Sequence, residues 1–223
     1  MKAGLILVGT ELLNGGMLDT NSLYIAEELN KYGIEIEFKV TIRDFMDEII
    51  KTIDYGKRNV DLIIMSGGLG PTIDDITKEA IAKYLDRPLI VEENELSELK
   101  EKFQRAKINF VDINVKEVEK PKGAITFRND AGMAPAVYID GIAAFPGVPK
   151  ELYDMLPKFL KWYSKEKNID TDEIYIRDIL TFGLAESLLD QEIRDFFTED
   201  GIYYEFLVKN YGTIVRLQSK ESN

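Results

Sequence analysis

The 223-residue sequence has no cysteine and no histidine. Without cysteine there is no disulfide, thiolate nucleophile, iron–sulfur cluster or Cys-type zinc site. Without histidine the usual general base and the commonest transition-metal ligand are missing. A metal would have to sit on oxygen ligands, which favours Mg²⁺, Mn²⁺ or Ca²⁺, and protons would have to move on Asp, Glu, Lys, Tyr or water. Long apolar runs are absent too. Nothing approaches the ~20 residues of a membrane helix. The opening Met1 to Val8 is cut off by Gly9-Thr10-Glu11, too early for a signal-peptide core. Positive charge is scarce: Lys and Arg number 28 against 40 Asp and Glu, a net charge of −12. The long-range basic field of a nucleic-acid binder is therefore lacking. These absences lead to the expectation of a cytoplasmic protein that uses neither membrane nor nucleic acid.

What is present alternates. Lys2–Val8 reads as a buried strand, and Asn21–Tyr32 as a helix with apolar residues at Leu23, Ile25, Ala26 and Leu29, stopped by Gly33. Ile34–Ile42 alternates as a strand. Asp44 is placed to cap a helix over Phe45–Gly56, Val60–Met65 is a short apolar strand, and Thr77–Leu85 is helical. Strand and helix in turn imply a mainly parallel sheet with helices on both faces, a three-layer α/β sandwich. Glu92–Ala106 is a charged helix. Ala124–Phe127, Ala136–Ile139 and Ile142–Phe145 are short strands, and Lys150–Tyr163 is a helix. After a polar linker over Lys165–Asp172, Glu173–Thr181, Ala185–Phe197, Ile202–Val208 and Thr213–Gln218 read as β-α-β-β, a small α+β tail. The expected domains are 1–166 and 167–223.

Three strand-to-helix junctions gather polar residues, and in an open α/β sheet ligands bind at such strand ends. The first is Ser66-Gly67-Gly68-Leu69-Gly70-Pro71-Thr72, followed by Asp74 and Asp75. Its glycines suit a phosphate approached by backbone N–H groups. The same residues also suit a plain tight turn, with Asp75 capping the next helix. It is neither a Walker loop nor a dinucleotide fingerprint. The second junction holds Thr10, Glu11, Asp19 and Asn21, of which Asp19 or Asn21 could simply cap a helix. The third is Arg43-Asp44, where Asp44 as an N-cap is the bland alternative.

These segments carry a resemblance. Val8-Gly9-Thr10-Glu11-Leu12-Leu13, Asp19-Thr20-Asn21-Ser22, Ser66 to Thr72 with Asp74-Asp75 and Thr77-Lys78-Glu79, and Phe145-Pro146-Gly147-Val148-Pro149-Lys150-Glu151 resemble, in order and spacing, the CinA (competence/damage-inducible protein A) family. Its N-terminal domain is similar to the molybdopterin-binding fold of MogA, MoaB and MoeA. Gly132-Met133-Ala134-Pro135-Ala136 looks like the family's Gly-Thr-Ala-Pro-Gly turn with two changes. The tail looks like the family's small KH-type domain, lacking a following helix and the Gly-x-x-Gly loop of RNA-binding KH domains. No residues correspond to the amidase domain of full-length relatives, so deamidation of nicotinamide mononucleotide is not expected.

The resemblance implies a divalent-metal-dependent (Mg²⁺, Mn²⁺ or Co²⁺) pyrophosphatase acting on ADP-ribose or a similar nucleotide. Asp75 and Asp44 would be the catalytic and metal-binding acids, with Glu11 as a further metal ligand. Ser66, Gly67, Gly68, Gly70, Thr72, Thr10, Glu11, Asn21 and Gly147 would hold the phosphorylated ligand. A homo-oligomer, dimer or trimer, is implied as well. Two other readings stand beside this one. One is a molybdopterin-binding protein, although Leu69 replaces the Thr of those relatives. The other is a ligand-binding module without turnover.

Overall fold

The computed structural model describes residues 1–169, 175–194 and 202–219. The chain forms two compact units, Met1–Leu29 with Ile34–Asn168, and Asn30–Gly33 with Ile169–Asn223.

The first unit opens with β1 (Lys2–Val8), a one-turn helix α1 (Thr10–Leu13), α2 (Asn21–Asn30), β2 (Glu35–Ile42), α3 (Met46–Asn59), β3 (Leu62–Ser66) and α4 (Thr77–Tyr84). It continues with β4 (Leu89–Ile90), α5 (Glu93–Ala106), a 3₁₀ segment (Asp112–Val118), β5 (Lys120–Pro121), β6 (Ile125–Phe127), β7 (Ala136–Ile139), β8 (Ile142–Phe145) and α6 (Pro149–Glu166). The main sheet has the order β2-β1-β3-β8-β7-β6. Its first four strands are parallel, and β7 and β6 are antiparallel additions. The chain leaves β1 for β2 on one side and reaches β3 on the other. That reversal opens a crevice beyond the carboxyl ends of β1 and β3. The register puts these ends level, with Val8 beside Ile42, Leu7 beside Ser66, and Ser66 beside Phe145.

Alternating side chains build two cores. Ile6, Val8, Ile63, Met65, Ile142 and Ala144 meet Ile49 and Ile53 of α3 and Ala80 and Ile81 of α4. The opposite face carries α6, whose Phe159 ring lies 5.6 Å from Phe145, 5.6 Å from Tyr138 and 5.3 Å from Phe127. Helix α2 shares that face, since the Tyr24 and Tyr153 rings are 4.1 Å apart. The expected three layers are thus present. A satellite cluster of Leu99, Phe103 and Val118 joins α5 to the 3₁₀ segment.

The observed helix ends show what propensity alone misses. Asp44 does not cap α3. Phe45 occupies the N-cap position and supplies no side-chain cap, because the Asp44 carboxylate is bound to Thr10 across the sheet. Asp75 does not cap α4 either; Ile76 stands there, and Asp75 turns back onto Thr72. Helix α6 runs to Glu166, into the expected linker.

The second unit carries β9 (Tyr175–Thr181), α7 (Glu186–Ile193), β10 (Ile202–Lys209) and β11 (Gly212–Ser219), with sheet order β10-β11-β9, all antiparallel. Residues 173–174 of the expected strand and 195–197 of the expected helix lie outside the described residues. No helix among the described residues is long and apolar enough to cross a membrane.

Phe159 is fully buried at the centre of the aromatic cluster. Phe159→Ala should destabilise the protein by about 3–5 kcal/mol, measured as a lowered midpoint in urea unfolding.

Candidate ligand site at the strand ends

The crevice forces the glycine loop into shape. Gly67 has φ +110°, and a Cβ there would lie 2.0 Å from the Val8 carbonyl oxygen, so only glycine lets the β1 and β3 ends approach this closely. Gly68, at φ +69°, sits beneath Thr77, whose Oγ1 would be 2.3 Å from a Cβ. Thr77 ties the loop from the helix side: its Oγ1 donates to the Gly67 carbonyl at 2.8 Å and its N–H to the Gly68 carbonyl at 3.1 Å. The Gly67 N–H is spent on the Phe145 carbonyl at 3.0 Å, and the Thr72 N–H on Asp75 Oδ2 at 2.9 Å. Between them, the N–H groups of Gly68, Leu69 and Gly70 have no acceptor among the described residues. Of the cradle expected over Gly67 to Thr72, these three N–H groups are the ones left without a protein acceptor.

The carboxylates are arranged around one hydroxyl. Thr72 Oγ1 lies 2.5 Å from Asp74 Oδ1 and 2.5 Å from Asp75 Oδ2. A hydroxyl has a single proton to donate, so only one of these contacts is a hydrogen bond at a time. The Thr72 hydrogen bond, followed by the backbone, holds the exposed Asp74 carboxyl below its usual range. Gly70 makes room for Asp75, since a Cβ at that position would meet Asp75 Oδ2 at 2.5 Å.

The β1 side is also satisfied internally. Asp44 Oδ2 accepts from Thr10 N at 2.8 Å and Thr10 Oγ1 at 3.0 Å. Asp19 accepts the Ser22 N–H at 2.9 Å, so it, rather than Asn21, serves the start of α2. Asn21 instead reaches across the crevice. Its Nδ2 donates to Ser66 Oγ at 2.9 Å and to the Gly147 carbonyl at 2.8 Å, joining three strand-end connections. Asn21 Oδ1 is buried with no hydrogen-bond partner among the described residues. A cavity of about 50 Å³ lies here, with Glu11, Asp19, Asn21, Ser66 and Gly147 in its wall.

Ser66 ends β3 and Gly67, Gly68, Gly70, Thr72 and Asp75 share the loop that follows it, while Thr10, Glu11, Asn21, Asp44 and Gly147 border the same strand edge. Asp75, Asp44 and Glu11 do not form one ligand set: no group of three or more acidic side chains able to hold a metal ion occurs among the described residues. The donor set does not fit a ready-made metal centre. A larger cavity, about 160 Å³, lies by α5 and β6, but its cations are already engaged: Lys102 on the Asn129 and Gly132 carbonyls, Arg128 on Glu98 and Asp130.

Two lysines complete the loop's support, and neither stood out in the sequence as a site residue. Lys116 Nζ donates to the Thr72 carbonyl at 2.9 Å and pairs with Glu79 at 3.0 Å. Lys78, 1 % exposed, donates to the Lys116 carbonyl at 2.6 Å and the Glu117 carbonyl at 3.0 Å. Lys78 falls within a quoted motif; Lys116, far off in a 3₁₀ segment, left no signal. Burial pulls the Lys78 pKa down to about 8, and burial raises the Glu117 carboxyl. Between about pH 8 and the ordinary lysine value of 10.5 the unfolded chain holds a proton that the folded chain has released. Stability tied to Lys78 accordingly rises with pH across that window. Measured against Lys78→Met, the wild-type unfolding midpoint should gain between pH 8 and 10; equal pH slopes in the two proteins would contradict the assignment.

Residues 4–165 match a family model described as "Probable molybdopterin binding domain". A CinA-like protein of Fusobacterium nucleatum is 63% identical over 223 residues, which cover 100% of this chain and 55% of that protein. A putative competence-damage inducible protein of Caldicellulosiruptor bescii is 38% identical over 203 residues, 87% of this chain and 48% of that protein. The chain thus spans about half the length of these curated relatives. The crystal structure of the protein CinA, of unknown function, from Thermoplasma acidophilum superposes with a TM-score of 0.67 at 30% identity, covering 72% of this chain and 98% of that one. Glycine loop, crevice and signature segments agree with these matches: the chain belongs to the CinA family, with a molybdopterin-binding-like domain over residues 4–165.

Proposed function

We propose that the strand-end crevice binds a phosphorylated nucleotide-like ligand, and that the domain hydrolyses the pyrophosphate of ADP-ribose or a close analogue. One observation carries the reading: three consecutive N–H groups, Gly68 to Gly70, left without acceptors at the β3 end beside an acid that is held in place. Such donors suit a phosphate oxygen and its developing charge. Asn21 Oδ1 is an acceptor awaiting a hydroxyl or amine of the ligand. Asp75 keeps Oδ2 on Thr72, which leaves Oδ1 to orient a water. In the reaction that water adds across the P–O–P bridge. Its oxygen bonds to one phosphorus, the bridging oxygen leaves with the other phosphate, and the water's proton passes to Asp75. The products are AMP and ribose 5-phosphate.

No step in this scheme runs through a metal ion, since the chain's own acids do not form a centre for one. Assays with and without Mg²⁺, Mn²⁺ or Co²⁺ decide whether the ligand's phosphates bring one. The second reading is molybdopterin binding without turnover, favoured by the family model over residues 4–165.

The purified protein should release AMP from ADP-ribose, and Asp75→Asn should lower that rate by about 10²–10⁴-fold while leaving the unfolding midpoint close to wild type. Full activity in the variant would remove Asp75 from the chemistry. Tight molybdopterin binding with no turnover of ADP-ribose, NAD or FAD would favour the second reading.

A further inference from the structure

Phe45 fills no structural role that its position calls for. It stands at the N-cap of α3, where a polar side chain would satisfy an orphan N–H, and it provides no cap. It is 55% exposed, while its neighbours Met46 and Ile49 pack into the core. One face of its ring carries the Arg43 guanidinium, 5.9 Å from the centroid, and Arg43 is held by Glu48 at 3.6 Å. Asp44, between Arg43 and Phe45, is fastened to Thr10 at the β1 end. The pair is therefore fixed at the same edge of the sheet as the glycine loop. Only β1 separates β2 from β3, so their ends lie roughly 10 Å apart.

We propose that Phe45 is the stacking platform for a planar heteroaromatic ring carried by the ligand whose phosphate sits on Gly68 to Gly70. The inference rests on the phosphate-binding reading above and adds the second half of the ligand. Charge orients the two halves. The loop end offers unspent N–H donors; at the β2 end Arg43 is paired with Glu48, which leaves the Asp44 carboxylate as the uncompensated charge, and that disfavours a second anion and tolerates a neutral ring. A π-face accepts purine or pterin alike, and Arg43 adds a cation to the aromatic surface. Phe45 thus separates ring-bearing phosphate esters from ring-free ones.

The test measures dissociation constants of ADP-ribose, AMP, ribose 5-phosphate and pyrophosphate for wild type, Phe45→Ala and Phe45→Trp, with unfolding midpoints and solution mass as controls. Phe45→Ala should weaken ADP-ribose and AMP about 5- to 150-fold and leave ribose 5-phosphate and pyrophosphate unchanged; Phe45→Trp should keep the affinity for the ring-bearing pair. Unchanged AMP affinity in Phe45→Ala, or equal weakening of all four ligands, would overturn the role of Phe45 and leave the phosphate site standing. A change in solution mass without a change in AMP affinity would also overturn it, assigning the ring to contact between copies. If wild type bound none of the four, the phosphate reading would fall and this inference with it.

Discussion

The close approach of two strand ends governs the site. The Val8 carbonyl occupies the space a side chain would need at position 67, so β1 and β3 can end side by side only with glycine there in a left-handed turn. That turn directs the chain under Thr77, and Thr77 then takes up the carbonyls of Gly67 and Gly68. With those carbonyls satisfied and the Gly67 N–H spent on β8, the remaining loop donors are the ones with no protein acceptor. The sheet order supplies the crevice, and the glycine contact supplies the donors inside it.

Acidity around such a loop is the second constraint. The chain has a net charge of −12, and Asp74 and Asp75 share the hydroxyl of Thr72 at the loop's end. The two lysines that brace the loop are engaged: Lys116 on Thr72 and Glu79, Lys78 inside the protein on backbone carbonyls. The loop would therefore meet an anion first with its own backbone dipoles. Asp75, bound through one oxygen, is poised beside the place where a phosphate would sit. At the β2 end the charge is again acidic, and the surface on offer is an aromatic ring. On the proposed reading, an anionic group at one end of the crevice and a neutral planar group at the other would describe a nucleotide-like ligand.

Much of this was legible in the sequence because it is local. Glycines following an apolar strand, and the order of strands and helices, follow from short-range pattern, and junction position alone puts Thr10, Asn21, Ser66 and Gly67 at or after strand ends, where the structure has them. Neither the capping role expected of Asp44 nor the capping alternative for Asp75 is observed, because each carboxylate is bonded elsewhere. Asp44 bonds across two strands to Thr10, and Asp75 bonds back three residues to Thr72, choices set by sheet register and turn geometry. Lys116 was invisible for the same reason: 44 positions separate it from Thr72. Phe45 was legible as the first residue of a helix but not as an exposed ring, since exposure depends on what packs around it.

The account stands or falls on where the phosphate goes. Backbone amide chemical shifts, recorded by heteronuclear NMR while AMP or ADP-ribose is added, report this directly. The account requires the largest saturable shifts at Gly68, Leu69 and Gly70, with smaller ones at Asn21 and Asp75. Saturable shifts confined to another part of the chain, with Gly68 to Gly70 unmoved, would contradict it.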